Sequence, residues 1–345
     1  MNLFGTNFRI MTWGESHGKA IGVVIDGVPV GLELTESDIQ KELDRRKPGQ
    51  SNITTTRTET DLVEIVSGVF KGKTTGSPIS LIIKNKDVDS SDYEKIKDRY
   101  RPGHADYTYN IKYQGFNDYR GGGRSSGRET ATRVAAGAIA RKLLKTKGIE
   151  IFAYVKQIST IKAINVNFND IDKNPLRCCD LNAAKKMEEY ISALKKEGDS
   201  IGCIVEIVIK DCPPGIGEPV FGKLDAKLSY ALMSIGAVKA ISVGEGFKVV
   251  DMKGSENNDQ MVQDGFLTNH AGGIVGGISN GQDIVLNIAV KPTASIAKEQ
   301  KTQNKQGNET TITVSGRHDP CIGPRIVPVA EAMVALVLVN TDLKF

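Results

Sequence analysis

The chain has 345 residues, with 45 Lys plus Arg against 41 Asp plus Glu, 39% hydrophobic residues and five cysteines. That length buries a sizeable core, and a formal charge of +4 is too balanced to argue by itself for a nucleic-acid partner. The odd cysteine count without a CxxC pair speaks against a disulfide scaffold or a cysteine zinc site; with no apolar run of ~18 residues and no secretory leader pattern, a soluble cytoplasmic protein without bound metal is expected.

Residues 8–30 read as extended segments broken by glycine. A helix is predicted next, with Thr35 as N-cap, Asp38 closing a capping box and Leu34 and Ile39 as a staple; Pro48-Gly49 stops it after Lys47. Residues 61–70 and 78–84 are β-branched strands, and 86–99 is a charged helix or turn region. From 101 to 127 the chain is nearly continuous turn signal, though tyrosines 107, 109, 113 and 119 favour an ordered loop. Ser126 and Glu129 have capping-box spacing at the start of a small-residue helix through Leu143. A strand at 149–157, a helix at 181–196, a strand at 201–209 and a helix from about 221 follow. Glycine dominates 265–281, residues 283–290 form a strand, and 298–310 is a polar surface loop. A last helix opens at Pro328. No composition break divides the chain, so one domain over 1–345 is expected. No GxGxxG follows a first strand, which gives a dinucleotide-type fold little support.

All four histidines sit in turn-rich motifs: His17 in GESHG, His104 in RPGHAD, His270 in NHAGG and His318 in GRHDP. Imidazole exchanges a proton near neutrality, so these turns are candidate acid–base positions, against a reading as hydrogen-bonded turn residues. His17 suits an acid serving a leaving group, His104 a general acid beside Arg101, and His270 a structural role. In DYRGGGRSSGRET, glycines precede Arg124, Ser125 and Ser126 at a helix N-terminus, an arrangement suited to phosphate. Lys291, Pro292, Thr293, Ala294 and Ser295 follow a strand and form a second phosphate candidate. In GRHDP, Arg317 can hold an anion and Asp319 can act as a base. The run around Arg45 and Arg46 either complements a helix dipole or grips a multiply anionic small molecule. An arginine- and tyrosine-based RNA-binding module is the alternative, opposed by the balanced charge and the glycine-framed placement of each arginine.

GESHG, DRRKPGQS, RPGHADYTY, DYRGGGRSSGRET, NHAGGIVGGIS, KPTAS and GRHDPC, in this order, resemble the chorismate synthase family over residues 4–340. The resemblance implies an α+β fold, a sandwich of antiparallel sheets around a helical layer, assembled as a homotetramer. It implies conversion of 5-enolpyruvylshikimate 3-phosphate to chorismate and phosphate by 1,4-anti elimination, with reduced FMN required although there is no net redox change. It assigns His17 as acid to the departing phosphate, His104 to protonation near the flavin, and Asp319 to removal of the ring proton. It assigns Arg124, Ser125, Ser126, Gly236, Ala237, Gly276, Lys291 to Ser295 and Arg317 to the flavin, and Arg45, Arg46, Arg101 and Arg317 to the substrate's anions. Lys47 and Asn52 depart from the family's basic pattern, and Gly236 from its usual Asn. Some members reduce the flavin with NADPH; without a nicotinamide fold or large insertion, this chain is expected to depend on an external flavin reductase.

Overall fold

A computed structural model describes residues 2–51, 53–54, 59–86, 91–314, 318–341 and 343. The first sheet is antiparallel, in the order β1-β2-β3-β5-β4, from β1 (Leu3–Phe4), β2 (Arg9–Gly14), β3 (Ala20–Asp26), β4 (Val63–Ser67) and β5 (Ile79–Lys84). Alternation sets which face is buried. Ile21, Val23 and Ile25 pair with Ile83, Leu81 and Ile79, and all six are buried. The predicted strand over 61–70 breaks at Gly68, whose φ of +82° ends the first piece.

The second sheet is also antiparallel, in the order β9-β10-β8-β6-β7, from β6 (Glu150–Ile158), β7 (Ile161–Lys162), β8 (Cys203–Lys210), β9 (Val238–Val243) and β10 (Ile284–Val290). Val205, Ile207 and Ile209 on β8 oppose Ile288, Leu286 and Ile284 on β10, giving this sheet its own apolar face.

Between the two apolar faces lie α1 (Glu36–Arg46), α3 (Thr130–Lys145), α5 (Leu224–Met233) and α6 (Gly323–Leu338). Helix α6 is apolar apart from Arg325 and Glu331 and buried at every position but Arg325, as befits a helix covered on both sides. Small residues let α3 approach it closely: a Cβ on Gly137 would lie 2.3 Å from the Ala332 Cβ. Helix α3 packs on β3 and α6 on β6 and β8, so the order is sheet, helices, sheet. This is the expected α+β sandwich. Outside these layers are α2 (Asp106–Lys112) and α4 (Leu181–Lys196). Helix α1 keeps its predicted limits, with the Thr35 N–H donating to the Asp38 carboxylate at 3.0 Å.

Further expectations change: the ordered loop expected over 101–127 contains helix α2, Asp106–Lys112. The last helix begins at Gly323 rather than Pro328; Pro324 occupies its first turn, and Pro328, one turn on, removes a single ladder bond near the end. The helix after Ser126 starts at Thr130, and Gly127–Glu129 is a 3-10 turn in which the Ser126 hydroxyl accepts from Arg128 N–H at 3.3 Å. The polar segment 298–310 is largely a hairpin of β11 (Gln300–Gln303) and β12 (Glu309–Ile312). Tyr100 N–H donates to Gln303 at 3.2 Å and Lys305 N–H to Asp98 at 2.9 Å, so distant backbone supplies the partners that local composition lacks.

Candidate active site

A cleft of about 380 Å³ is lined by turns from both sheets and by the ends of α1 and α6. His17 reaches it from the turn joining β2 to β3, which is closed by Gly18 N–H donating to the Glu15 carbonyl at 3.1 Å. Its buried ring meets Tyr93 edge-on, with centroids 5.3 Å apart. Gly121, at φ +58°, brings its backbone against the same ring; a Cβ there would lie 2.2 Å from Nδ1.

His104 stands in the turn before α2, where its Nδ1 lies 2.7 Å from Asp106 Oδ1. That contact orients the ring. The same carboxylate takes a two-pronged grip from Arg101, at 2.7 Å from Nε and 2.8 Å from Nη2. Burial pushes the Asp106 pKa up, but hydrogen bonds from Arg101 and His104 outweigh it and hold the group below its ordinary range. Arg101 also donates to Ser295 Oγ at 3.2 Å, joining the His104 turn to the Lys291–Ser295 segment. From that segment, Lys291 Nζ donates to the Gly103 carbonyl, and Thr293 Oγ1 donates to the Asp319 carbonyl at 2.7 Å. Burial, followed by the nearby Lys239, lowers the Lys291 pKa. Arg325 Nη1 donates to the Asp319 carboxylate at 2.6 Å.

Adjacent arginines on α1 part company, because successive helical side chains point about 100° apart. Arg46 lines the cleft and pairs with the buried Asp61 at 2.9 Å. Arg45 does not line it: the fully buried Glu331 takes its guanidinium, together with Glu42 at 2.9 Å. Ser125, Ser126, Gly236, Ala237 and Lys291 to Ser295 all reach the cleft. Arg124 turns instead to the edge of the first sheet, bonding the Gly14 carbonyl at 3.1 Å and Thr12 Oγ1 at 2.8 Å. It lines an adjoining groove of about 740 Å³, with Trp13 and Tyr109, that shares Ser125 and Gly236 with the cleft. Gly276 is exposed in a separate hairpin and borders neither space. Arg317 and Asn52 lie outside the described residues. His318 lines the cleft, whereas His270 is away from it, its Nδ1 3.2 Å from the Asn257 carbonyl. Among the described residues no cluster of His, Cys, Asp or Glu is arranged to hold a metal ion.

The sequence reading assigned no role to Asp61, Tyr93 or Arg325. Arg325 had no legible signal, because a helix opening at Pro328 leaves it outside the first turn, where a cation opposes the helix dipole. Asp61 had none, because its partners are 15 and 67 residues away. Taken together, the cleft sets five cations (Arg46, Arg101, Arg128, Lys291 and Arg325) around small and apolar residues and three imidazoles, His17, His104 and His318. It suits a small, multiply anionic molecule and proton transfer to it.

The family model described as chorismate synthase matches residues 8–343. Chorismate synthases of Francisella tularensis subsp. mediasiatica (strain FSC147) and subsp. novicida (strain U112) are each 56% identical over 340 residues, covering 98% of this chain and 96% of the relative. A crystal structure of chorismate synthase superposes with a TM-score of 0.77 at 30% identity, covering 98% of this chain and 92% of that one. The chain therefore belongs to the chorismate synthase family, lyases of aromatic biosynthesis.

Proposed function

We propose that the chain converts 5-enolpyruvylshikimate 3-phosphate into chorismate and phosphate by 1,4-anti elimination with reduced FMN. One observation carries the reading: a single cleft holds three histidines, two carboxylates (Glu129 and Asp319) and five cations on an otherwise small and apolar lining. A substrate with two carboxylates and a phosphate needs several cations that remain charged, which arginine provides. Arg46, Arg101 and Arg128 would hold these anions.

The residues also fit a flavin. The cleft lies within the roughly 300–1,000 Å³ usual for small-molecule sites and opens toward the aromatic-lined groove. Small residues at Gly236, Ala237 and Ala294 leave room for a flat ring. Ser125, Ser126 and Lys291 to Ser295 would hold the flavin from the cleft, and Arg124 from the groove; Gly276 and Arg317 are proposed contacts from the family resemblance alone. When bound, reduced FMN supplies a transient electron to the breaking C–O bond. His17 donates a proton to the departing phosphate. His104, oriented by Asp106, holds the proton that balances charge beside the cofactor. Asp319, positioned by Arg325, receives the ring proton. The Tyr93 ring and the Gly121 backbone hold the His17 ring in place.

The chain is proposed to assemble as a homotetramer. Phe221, Phe247, Val250 and Met261 are exposed apolar side chains of the kind an interface covers. Five free, buried thiols support a reducing, cytoplasmic setting, and among the described residues no helix is long and apolar enough to cross a membrane.

The test is anaerobic chorismate formation from the substrate with chemically reduced FMN. The wild-type chain is expected to turn over, and H17A and H104A to lose roughly 10²–10⁴-fold in rate with unchanged circular dichroism. Wild-type rates in both variants would remove the acid assignments. With FMN and NADPH but no reductase, no turnover is expected; substantial turnover would show that the chain reduces its own flavin.

A further inference from the structure

Behind the cleft, Asp61 and Asn85, to which the proposed chemistry assigns no role, link two of its arginines to the His17 turn. Asp61 is fully buried and has φ +47°, a left-handed conformation that Asp tolerates better than most residues. Its two oxygens are divided between two cleft arginines, Oδ2 to Arg46 Nη1 at 2.9 Å and Oδ1 to Arg128 Nη1. Arg46 makes a second bond, from Nη2 to the Gly127 carbonyl at 3.1 Å. Arg128 makes its second from Nε to Asn85 Oδ1 at 2.9 Å. Asn85, just past the end of β5, spends its side-chain N–H groups on the turn that carries His17. Its Nδ2 donates to the Glu15 carbonyl at 3.1 Å and to the Gly18 carbonyl at 2.8 Å, while its backbone N–H reaches Lys19 at 3.2 Å. The path thus runs from one anion-binding arginine through Asp61 to a second, then through Asn85 to the backbone on both sides of His17.

We propose that Asp61 and Asn85 are positioning residues for the elimination. Asp61 sets the spacing of the two guanidinium groups that meet the substrate's anions. Asn85 ties that pair to the turn that presents His17 to the departing phosphate. The chemistry favours such a device: the acid must stand beside the oxygen that the arginines hold, and a displacement of about 1 Å can cost 10²-fold in rate. A carboxylate shared by two forks fixes their separation, and a primary amide can accept from a guanidinium while donating to two carbonyls. The assignment rests on the proposed function for the identity of the anion, and on the geometry alone for the coupling.

The two substitutions separate the two roles. D61N keeps the side chain's shape but offers one arginine an amide N–H₂ in place of an oxygen. It is expected to raise the substrate KM by roughly 10-fold with kcat within about 3-fold. N85D keeps an acceptor for Arg128 but sets a carboxylate against the Glu15 and Gly18 carbonyls. It is expected to lower kcat by roughly 10- to 100-fold with KM within about 3-fold. The chain has only four histidines, so their ring ¹H–¹⁵N signals give a readout independent of activity. In N85D the His17 signals are expected to move while those of the distant His270 stay. Unchanged kinetics in both variants, or unchanged His17 signals in N85D, would overturn the proposal. Should N85D not fold, N85S is read in its place, and unfolding of both would assign Asn85 a purely structural role. A wild-type chain that forms no chorismate would count against the function instead, and the His17 signals would still decide the coupling.

Discussion

At the scale of single residues, this site shows how little room the His17 imidazole is given. The His17 ring is bounded by Tyr93 and by the Gly121 backbone. Gly121 meets two demands that no other residue meets: a φ of +58° and the absence of a Cβ where the imidazole stands. G121A is therefore expected to displace His17 and cost at least about 10-fold in kcat, while stability falls by about 1–3 kcal/mol from overpacking and a strained φ. Steady-state kinetics beside urea unfolding check this; a kcat equal to wild type would show that the ring has another resting place. His17 and His104 were legible in the sequence as turn-borne imidazoles. The partners that orient them were less so: Asp106 is two residues from His104 in sequence, whereas Asn85, which holds the His17 turn, is 67–70 residues from its carbonyl partners.

At the scale of elements, local chemistry sets the helices' limits and distant contacts modify them. Helix α4 spans Leu181–Lys196 as its pattern predicts, because Asp180 caps it. The Asp180 carboxylate accepts from Asn182 and Ala183 N–H at 3.0 and 3.1 Å, and from Ile164 and Asn165 N–H at 3.1 and 3.0 Å. These bonds, that from Asn165 first, bring its pKa down to about 2. A depressed folded-state pKa contributes stability above the unfolded value of about 3.9, and that stability is lost as pH falls toward 2. D180A is expected to cost about 1–2 kcal/mol at pH 7, and the gap from wild type to shrink between pH 4 and pH 2. Urea midpoints across that range measure it; a gap independent of pH would mean that the carboxylate's charge contributes nothing. The last helix and the 300–312 hairpin were misread for a common reason. Pro328 looks like a start signal only if the preceding turn is not already helical, and a polar strand is recognisable only once its pairing partner is known.

At the scale of the whole molecule, the layers are joined by a buried charge. Glu331, on the central helix, receives Arg45 from α1, Arg141 from α3 at 2.9 Å and the Ala153 N–H of β6 at 3.0 Å. Burial pushes its pKa up, but Arg45 and Arg141 outweigh this and hold it ionised. E331A would leave the two partly buried guanidinium groups only Glu42 as a shared anion and would leave the Ala153 N–H without its acceptor. It is expected to destabilise the fold by about 1–3 kcal/mol. Because Arg45 does not line the cleft, substrate KM in the folded fraction is expected to stay within about 3-fold of wild type. Chemical unfolding and steady-state kinetics separate the two effects. A large KM change without loss of stability would return Arg45 to the substrate site.

Sequence alone determined the short-range part of this protein. Capping residues and 3.6-residue periodicity set most of the helices, β-branched runs marked the longer strands apart from Val238–Val243, and glycine- and arginine-rich turns marked the segments that meet at the cleft. Tertiary structure decided which of the neighbouring charges face inward. Arg46 reaches the cleft and Arg45 an ion pair, and Arg124 turns away from Ser126, because each side chain follows partners supplied by other layers. Those partners are separated along the chain by tens to hundreds of residues, and burial leaves each charge only the counter-charge that folding brings beside it.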